Sequence, residues 1–312
     1  MAYSVTLITK ERMNELRQSL KSQKFISAKA DIHGICVKLY STDRTMVDMW
    51  ESNFHSMSDS IRPHASIILC SDDSRETKVL YETVSHTAFL LNFDYYGWVK
   101  SIGLAVASDI LEDTYDSISH VHGAVIDTPF GGVTLIAPSK TGKTTHSWGL
   151  LRLDGSRLVT DDWYFVKVGS GRPIAYGSEK NCYIDADIGK VWSEFQPLVD
   201  SSTFDSKGRA IADIRWVAGD ESVIPMTTIK TIILLKRDSN DKNVSIEMTA
   251  GDAFEYLKSN NLCNPHQIVT DERKLKIRYD FFKQYLQSAS VYMINTTGDP
   301  VDTQKAIRNV IQ

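Results

Sequence analysis

Three sets of side chains in this chain have the types and spacing to handle phosphate. The first is Gly142-Lys143-Thr144, which closes the stretch LIAPSKTGKTT at 135–145. A phosphate-binding loop works because consecutive backbone N–H groups converge on phosphate oxygens at the positive end of a helix, while a lysine neutralises charge and a hydroxyl ligates Mg²⁺. The usual pattern G-x-x-x-x-G-K-[ST] has a glycine where Ala137 stands here. Alanine is excluded only from positive-φ or sterically closed positions, so an extended backbone at 137 would tolerate it. Lys140 replaces a second common glycine and would add positive charge facing a phosphate.

The second set is Asp161-Asp162, at the end of the next apolar strand. Alone, two acidic residues ending a strand read as a solvated turn; beside a phosphate loop they read as carboxylates that hold or orient a metal. The third is His122. A lone histidine next to a strand is ordinarily structural or solvent-facing, but this one belongs to the strand that hairpins into the loop strand, which brings its side chain toward the phosphates. His120 would share that face in an extended strand, so spacing leaves the choice between the two open. The adjacent Gly123 signals close backbone approach.

These groups need a strand, a glycine-containing turn and a helix N-terminus in that order. The pattern supplies them: a strand at 121–126, a Thr-Pro-Phe-Gly-Gly turn, a strand at 133–136 and a helix from about Lys143, then a short strand at 158–160. Before this core, an α+β pattern alternates a helix at 11–22, a strand at 34–40, a helix at 45–54, a strand at 65–70, extended structure over 78–92 and a helix at 98–113. The pattern changes near Ser117, which divides the chain into an N-terminal α+β region, 1–116, and a second domain, 117–312. Beyond the core, TTIKTIILLKR reads as a buried strand, followed by helices from Gly251 and Asp271, a strand SVYMIN and a terminal helix after Pro300.

With 312 residues, 42% hydrophobic and 24% charged, the chain can bury a substantial core across two domains or one elaborated domain. A formal net charge of -4 gives no general basic surface for nucleic acid or an anionic membrane, and neither partner is expected. The N-terminus lacks the apolar run of a signal peptide, and no run is long enough to span a bilayer, so a cytoplasmic protein is expected. Cys36, Cys70, Cys182 and Cys263 stand singly, without the close pairs of zinc or redox motifs, and read as buried thiols.

Taken together, HGAVIDTPFGGVTLIAPSKTGKTTHSWGLLRLDGSRLVTDDWYFV resembles the catalytic core of the HPr kinase/phosphorylase family, which shares its nucleotide-binding fold with ATP-dependent phosphoenolpyruvate carboxykinase. A His-Gly on one strand, an apolar strand into G-x-S-G-x-G-K-[ST] and a hydrophobic-x-Asp-Asp strand end recur there in this order. The resemblance spans roughly 121–166 and implies a P-loop α/β (α+β) core of mixed sheet and flanking helices.

It also implies roles. The backbone from Ser139 through Lys140, Thr141 and Gly142, with Thr145 following, would wrap the phosphates of ATP. Lys143 would contact the β- and γ-phosphates and Thr144 would ligate Mg²⁺. Asp161 resembles the carboxylate that accepts the acceptor hydroxyl's proton, Asp162 the metal-orienting one, and His122 the histidine beside them. The stretch RAIADIRWVAG is similar to the family's Glu-Ile-Arg-Gly segment, which would put Asp213 near metal and Arg215 near phosphate; an ordinary strand with a salt bridge is the other reading. The implied activity is transfer of the γ-phosphoryl group of ATP to a hydroxyl, serine of a protein or peptide, with oligomerisation through the kinase fold. A small-molecule hydroxyl kinase and a nucleotide-binding regulatory module without catalysis are the alternatives.

Overall fold

Apolar residues at alternating positions become strands of two large mixed sheets, each belonging to its own unit. The structure is a computed structural model that describes residues 3–312 apart from 116, 206, 213 and 216–218. One unit comprises Met1–Tyr115 with Pro265–Lys274, the other Asp116–Asn264 with Leu275–Gln312. The division expected at 116/117 therefore differs in one stretch: Pro265–Lys274 groups with the N-terminal residues.

The first unit runs β1 (Ser4–Leu7), α1 (Lys10–Ser19), β2 (Ile26–Ile32), β3 (Ile35–Ser41), α2 (Arg44–Asn53), β4 (His55–Ser56), β5 (Ala65–Cys70), β6 (Lys78–Glu82), β7 (Thr87–Leu91) and α3 (Tyr96–Thr114). Its sheet has the order β1-β6-β7-β5-β3-β2-β4, with β7, β5 and β3 parallel. The first two helices start where a side chain accepts from a first-turn N–H: Thr9 from Arg12 N–H, and Asp43 from Thr45 N–H. Met13 of α1 packs on Ile68 and Phe89, while α2 and α3 pack against the sheet through residues such as the fully buried Trp50.

A buried ionic network fastens Pro265–Lys274 to α3. Lys274 Nζ lies 2.8 Å from Asp109 Oδ1, 3.7 Å from Glu112 and 2.9 Å from Asp113, and Tyr81 donates to Asp109 at 2.8 Å. Burial alone would raise the Asp109 carboxyl, but hydrogen bonding from His86, the Lys274 ammonium and Tyr81 outweigh it and hold the group at about 2. A depressed folded-state value stabilises the protein above the ordinary carboxylate range and loses that contribution as pH falls toward 2. Asp109→Asn should thus be destabilised by about 2 kcal/mol at neutral pH, the gap to wild type closing between about pH 4 and pH 2. Denaturant unfolding at a series of pH values measures this, and a gap that stays constant would refute it.

The second unit runs β8 (Ile118–Thr128), β9 (Gly131–Ile136), α4 (Lys143–Leu151), β10 (Arg157–Thr160), β11 (Trp163–Lys167), β12 (Ile174–Gly177), β13 (Cys182–Asp185), α5 (Ile188–Val191), α6 (Gln196–Ser201), β14 (Thr203–Phe204), β15 (Arg209–Ala212), β16 (Met226–Lys236), β17 (Ser245–Glu247), α7 (Ala250–Ser259), α8 (Glu272–Gln287, continuing from the first unit's Lys274), β18 (Ser290–Asn295) and α9 (Pro300–Ile311). Two long strands serve two sets of neighbours. β8 pairs with β11 through 118–122 and with β9 through 123–128; β16 pairs with β12 through 226–228 and then runs parallel to β9 and β18. α4 and α9 contribute Trp148, Leu150, Ile307 and Ile311 to one core cluster, and α7 and α8 contribute Phe254, Leu257, Phe281 and Tyr285 to another. β13, β14 and β15 form a separate three-stranded sheet.

The fold is of the mixed α+β class, with flanking helices on mixed sheets. Among the described residues no helix is long and apolar enough to cross a membrane. Cys36, Cys182 and Cys263 are buried thiols, while Cys70 is only half-buried, a correction to the reading of all four as buried.

Candidate functional site

The loop leaves the C-terminal end of β9, which runs parallel to β16 and β18, a place where α/β sheets form ligand crevices. Gly142 is the N-cap of α4 with φ 89°, and it carries no side-chain cap. The first-turn N–H groups of a helix have no intrahelical acceptor, so they are left to meet a ligand at its positive end. A Cβ at Gly142 would lie 3.3 Å from the His146 ring in a conformation side chains rarely adopt. Thr141 Oγ1 donates to Pro138 O at 2.7 Å, and Thr296 Oγ1, just past β18, donates to Thr141 O at 2.8 Å.

Lys140 also has a positive φ, 67°, so the lysine occupies a left-handed conformation that glycine would take without strain. Ala137 is buried and has no positive φ, which is why alanine fits there. Ser139 and Lys140 are exposed, Thr141 is buried, and Gly142, Lys143, Thr144 and Thr145 are half-buried.

Asp161 and Asp162 sit at a joint. β10 and β11 both pair antiparallel with β8, the first opposite 125–127 and the second opposite 118–122, and the two aspartates span the gap between them. Gly123 N–H donates to Asp162 O at 2.8 Å, and a Cβ at 123 would lie 2.7 Å from Leu135 O, so the close approach signalled by this glycine is to the loop strand's own backbone. This register delivers His122 Nε2 to within 3.2 Å of Asp162 Oδ1, and Lys143 Nζ to within 3.0 Å of the same oxygen. Lys143 Nζ also donates to Asp161 O at 2.8 Å.

The Asp161 carboxylate was expected to face the loop beside His122, and here the placement differs. Its side chain is buried, and Oδ2 accepts from Tyr183 N–H of β13 at 2.8 Å. Burial and the neighbouring Asp162 charge push its carboxyl up to about 7, against the pull of Lys143. The bend at 161–162 between β10 and β11 turns the two side chains apart: Asp162 meets His122 and Lys143, and Asp161 meets Tyr183 N–H.

Between the two histidines, His122 is the one beside the aspartates. His120 stacks on Trp163, with ring centroids 5.2 Å apart, and meets Asn264 Nδ2 at 2.8 Å through Nε2. His122 Nδ1 lies 2.7 Å from Cys263 O. A carbonyl oxygen only accepts, so Nδ1 carries a proton, and Nε2 is the nitrogen that faces Asp162. The backbone partners Cys263 O and Tyr183 N–H left no mark in the sequence, because any residue supplies them. Asp213 lies outside the described residues, and Arg215 is half-buried.

Among the described residues no group of three or more His, Cys, Asp or Glu stands together as a metal cage. Mg²⁺ does not need one: it uses one or two carboxylates with phosphates and water, and the hydroxyl of Thr144 and carboxylate of Asp162 are donors of that hard-oxygen type.

No protein-family model matches the chain, and no curated protein matches it. Among solved structures, the HPr(Ser) kinase/phosphatase from Coxiella burnetii is 13% identical over 62% of this chain and 90% of that one, with a TM-score of 0.36. An overlap this loose marks a distant structural likeness and leaves the loop, His122 and the two aspartates as the basis for any reading of function.

Proposed function

We propose that the protein is a phosphotransferase that moves the γ-phosphoryl group of ATP to a hydroxyl, serine of a protein or peptide, on a P-loop core of the phosphoenolpyruvate carboxykinase/HPr kinase type. The observation that carries this reading is Asp162 Oδ1, met at once by Lys143 from the helix N-terminus and by His122 from β8. A loop lysine tied to an acid, with a histidine beside it, is a set that can bind a phosphate and take a proton in the same place.

In this reading the first turn of α4 receives the phosphates, and Lys143 swings from Asp162 toward the β/γ oxygens, where charge develops in transfer. Thr144 and Asp162 would hold Mg²⁺, which neutralises phosphate charge when bound. The hydroxyl oxygen attacks the γ-phosphorus, the bond from that phosphorus to the β–γ bridging oxygen breaks, and ADP leaves. The hydroxyl proton passes to His122 Nε2, and the neighbouring Asp162 charge offsets the charge that His122 gains. One observation favours Asp161 as the base instead: a carboxyl near 7 suits proton transfer at neutral pH. Its buried position and bond to Tyr183 oppose that, and geometry precedes pKa in choosing a base.

The reading is tested by calorimetry with ATP and Mg²⁺, alongside ³²P transfer from ATP into proteins, peptides and small alcohols. Gly142→Ala, strained at φ 89°, should weaken ATP binding by roughly tenfold. Unchanged affinity would detach the loop from nucleotide binding. Tight ATP binding with no transfer to any acceptor would favour a nucleotide-binding regulatory module.

A further inference from the structure

Three consecutive residues before the Pro265–Lys274 segment hold positive φ angles, 51° at Asn261, 54° at Leu262 and 54° at Cys263, and none is glycine. Residues with a Cβ enter this region singly, asparagine far more readily than leucine, because the Cβ crowds the carbonyl oxygen. A run of three persists only where its surroundings over-determine it, and such strain gathers at functional sites. The surroundings here are specific. Leu262 and Cys263 are buried in the core cluster that includes Phe254 and Leu257 of α7. Cys263 N–H donates to Asn260 O at 2.9 Å, Asn264 N–H to Asn261 O at 3.1 Å, and Asn261 Nδ2 to Asn264 O at 3.2 Å.

This backbone aims its last carbonyl, Cys263 O, at His122 Nδ1, 2.7 Å away, and sets the Asn264 amide against His120 Nε2. A right-handed backbone at these residues would turn the carbonyl elsewhere. The ring of Trp163 closes another side, with His120 stacked on it and His122 edge-on at 5.8 Å.

We infer that the left-handed turn Asn261–Cys263 is the positioning device of His122, fixing the proton on Nδ1 and so presenting Nε2 to Asp162. Its effect on catalysis rests on the phosphotransferase reading; its effect on the His122 ring does not. Asn261 is exposed and is the place to test it. Asn261→Gly keeps the left-handed backbone accessible and loses only the side-chain amide, whereas Asn261→Val puts a β-branched residue where it is least tolerated.

With ¹⁵N-labelled histidine and His122→Asn to assign the signal, wild type and Asn261→Gly should show a slowly exchanging His122 Nδ1–H resonance. Asn261→Val should lose or broaden it, lower kcat by roughly tenfold and leave ATP affinity within about twofold. A His122 resonance and kcat unchanged in Asn261→Val would overturn the proposal. So would an equal kcat loss in the glycine and valine proteins with the resonance intact. If wild type transfers no phosphate, the resonance still decides the positioning role, and the phosphotransferase reading alone falls.

Discussion

Asp162→Asn is expected to lower phosphoryl transfer by about two to four orders of magnitude while the fold is retained. Asparagine keeps the size and one oxygen for Lys143, but it cannot offset the charge that His122 gains with the hydroxyl proton and is a poorer donor to Mg²⁺, so Mg²⁺-dependent ATP affinity should fall as well. The control is its neighbour. Asp161 already sits near 7 and is bonded to Tyr183 N–H, a bond that an asparagine oxygen can keep. Asp161→Asn should therefore change transfer by less than about tenfold. Measuring ³²P transfer and nucleotide binding for both variants separates the two carboxylates. The opposite ranking would restore Asp161 as the base and remove Asp162 from the proton path.

Lys143→Ala is expected to cost about two to three orders of magnitude in transfer, the scale of one charged donor lost from a developing phosphoryl charge. ATP affinity should fall with it. In the free protein Lys143 pairs with Asp162 and Asp161 O at the mouth of the loop and contributes nothing to the apolar core, so circular dichroism and melting should stay close to wild type. Equal ATP affinity in the two proteins, by calorimetry, would show that the loop is not the phosphate cradle.

The sequence by itself determined the elements wherever local chemistry is strong. The apolar run 65–70 is β5 to the residue, and Pro300 with its Asp299 cap starts α9 where expected. Lys143 begins α4, because glycine before a polar first turn leaves the backbone little else to do. It missed β1, which pairs with β6 far along the chain, β2, whose run ISAKADI is rich in alanine and charge, and β11 to β14, strands of two to five residues.

At the site, the sequence determined which residue types gather: a loop lysine, a pair of aspartates and a histidine on the hairpin strand. Only the tertiary structure decided which of each pair serves. His122 and His120 share one strand face; the pairing of β8 with β11 brings His122 to Asp162, and the turn at 261–263 brings Asn264 to His120. Asp161 and Asp162 are chemically alike, and only the joint between β10 and β11 buries one and turns the other toward Lys143. Cys263 O, which orients His122, is a backbone atom 141 residues away along the chain. No residue type announces such a partner, because a carbonyl is common to every residue and its direction depends on φ and ψ, which here are imposed by packing of the surrounding chain.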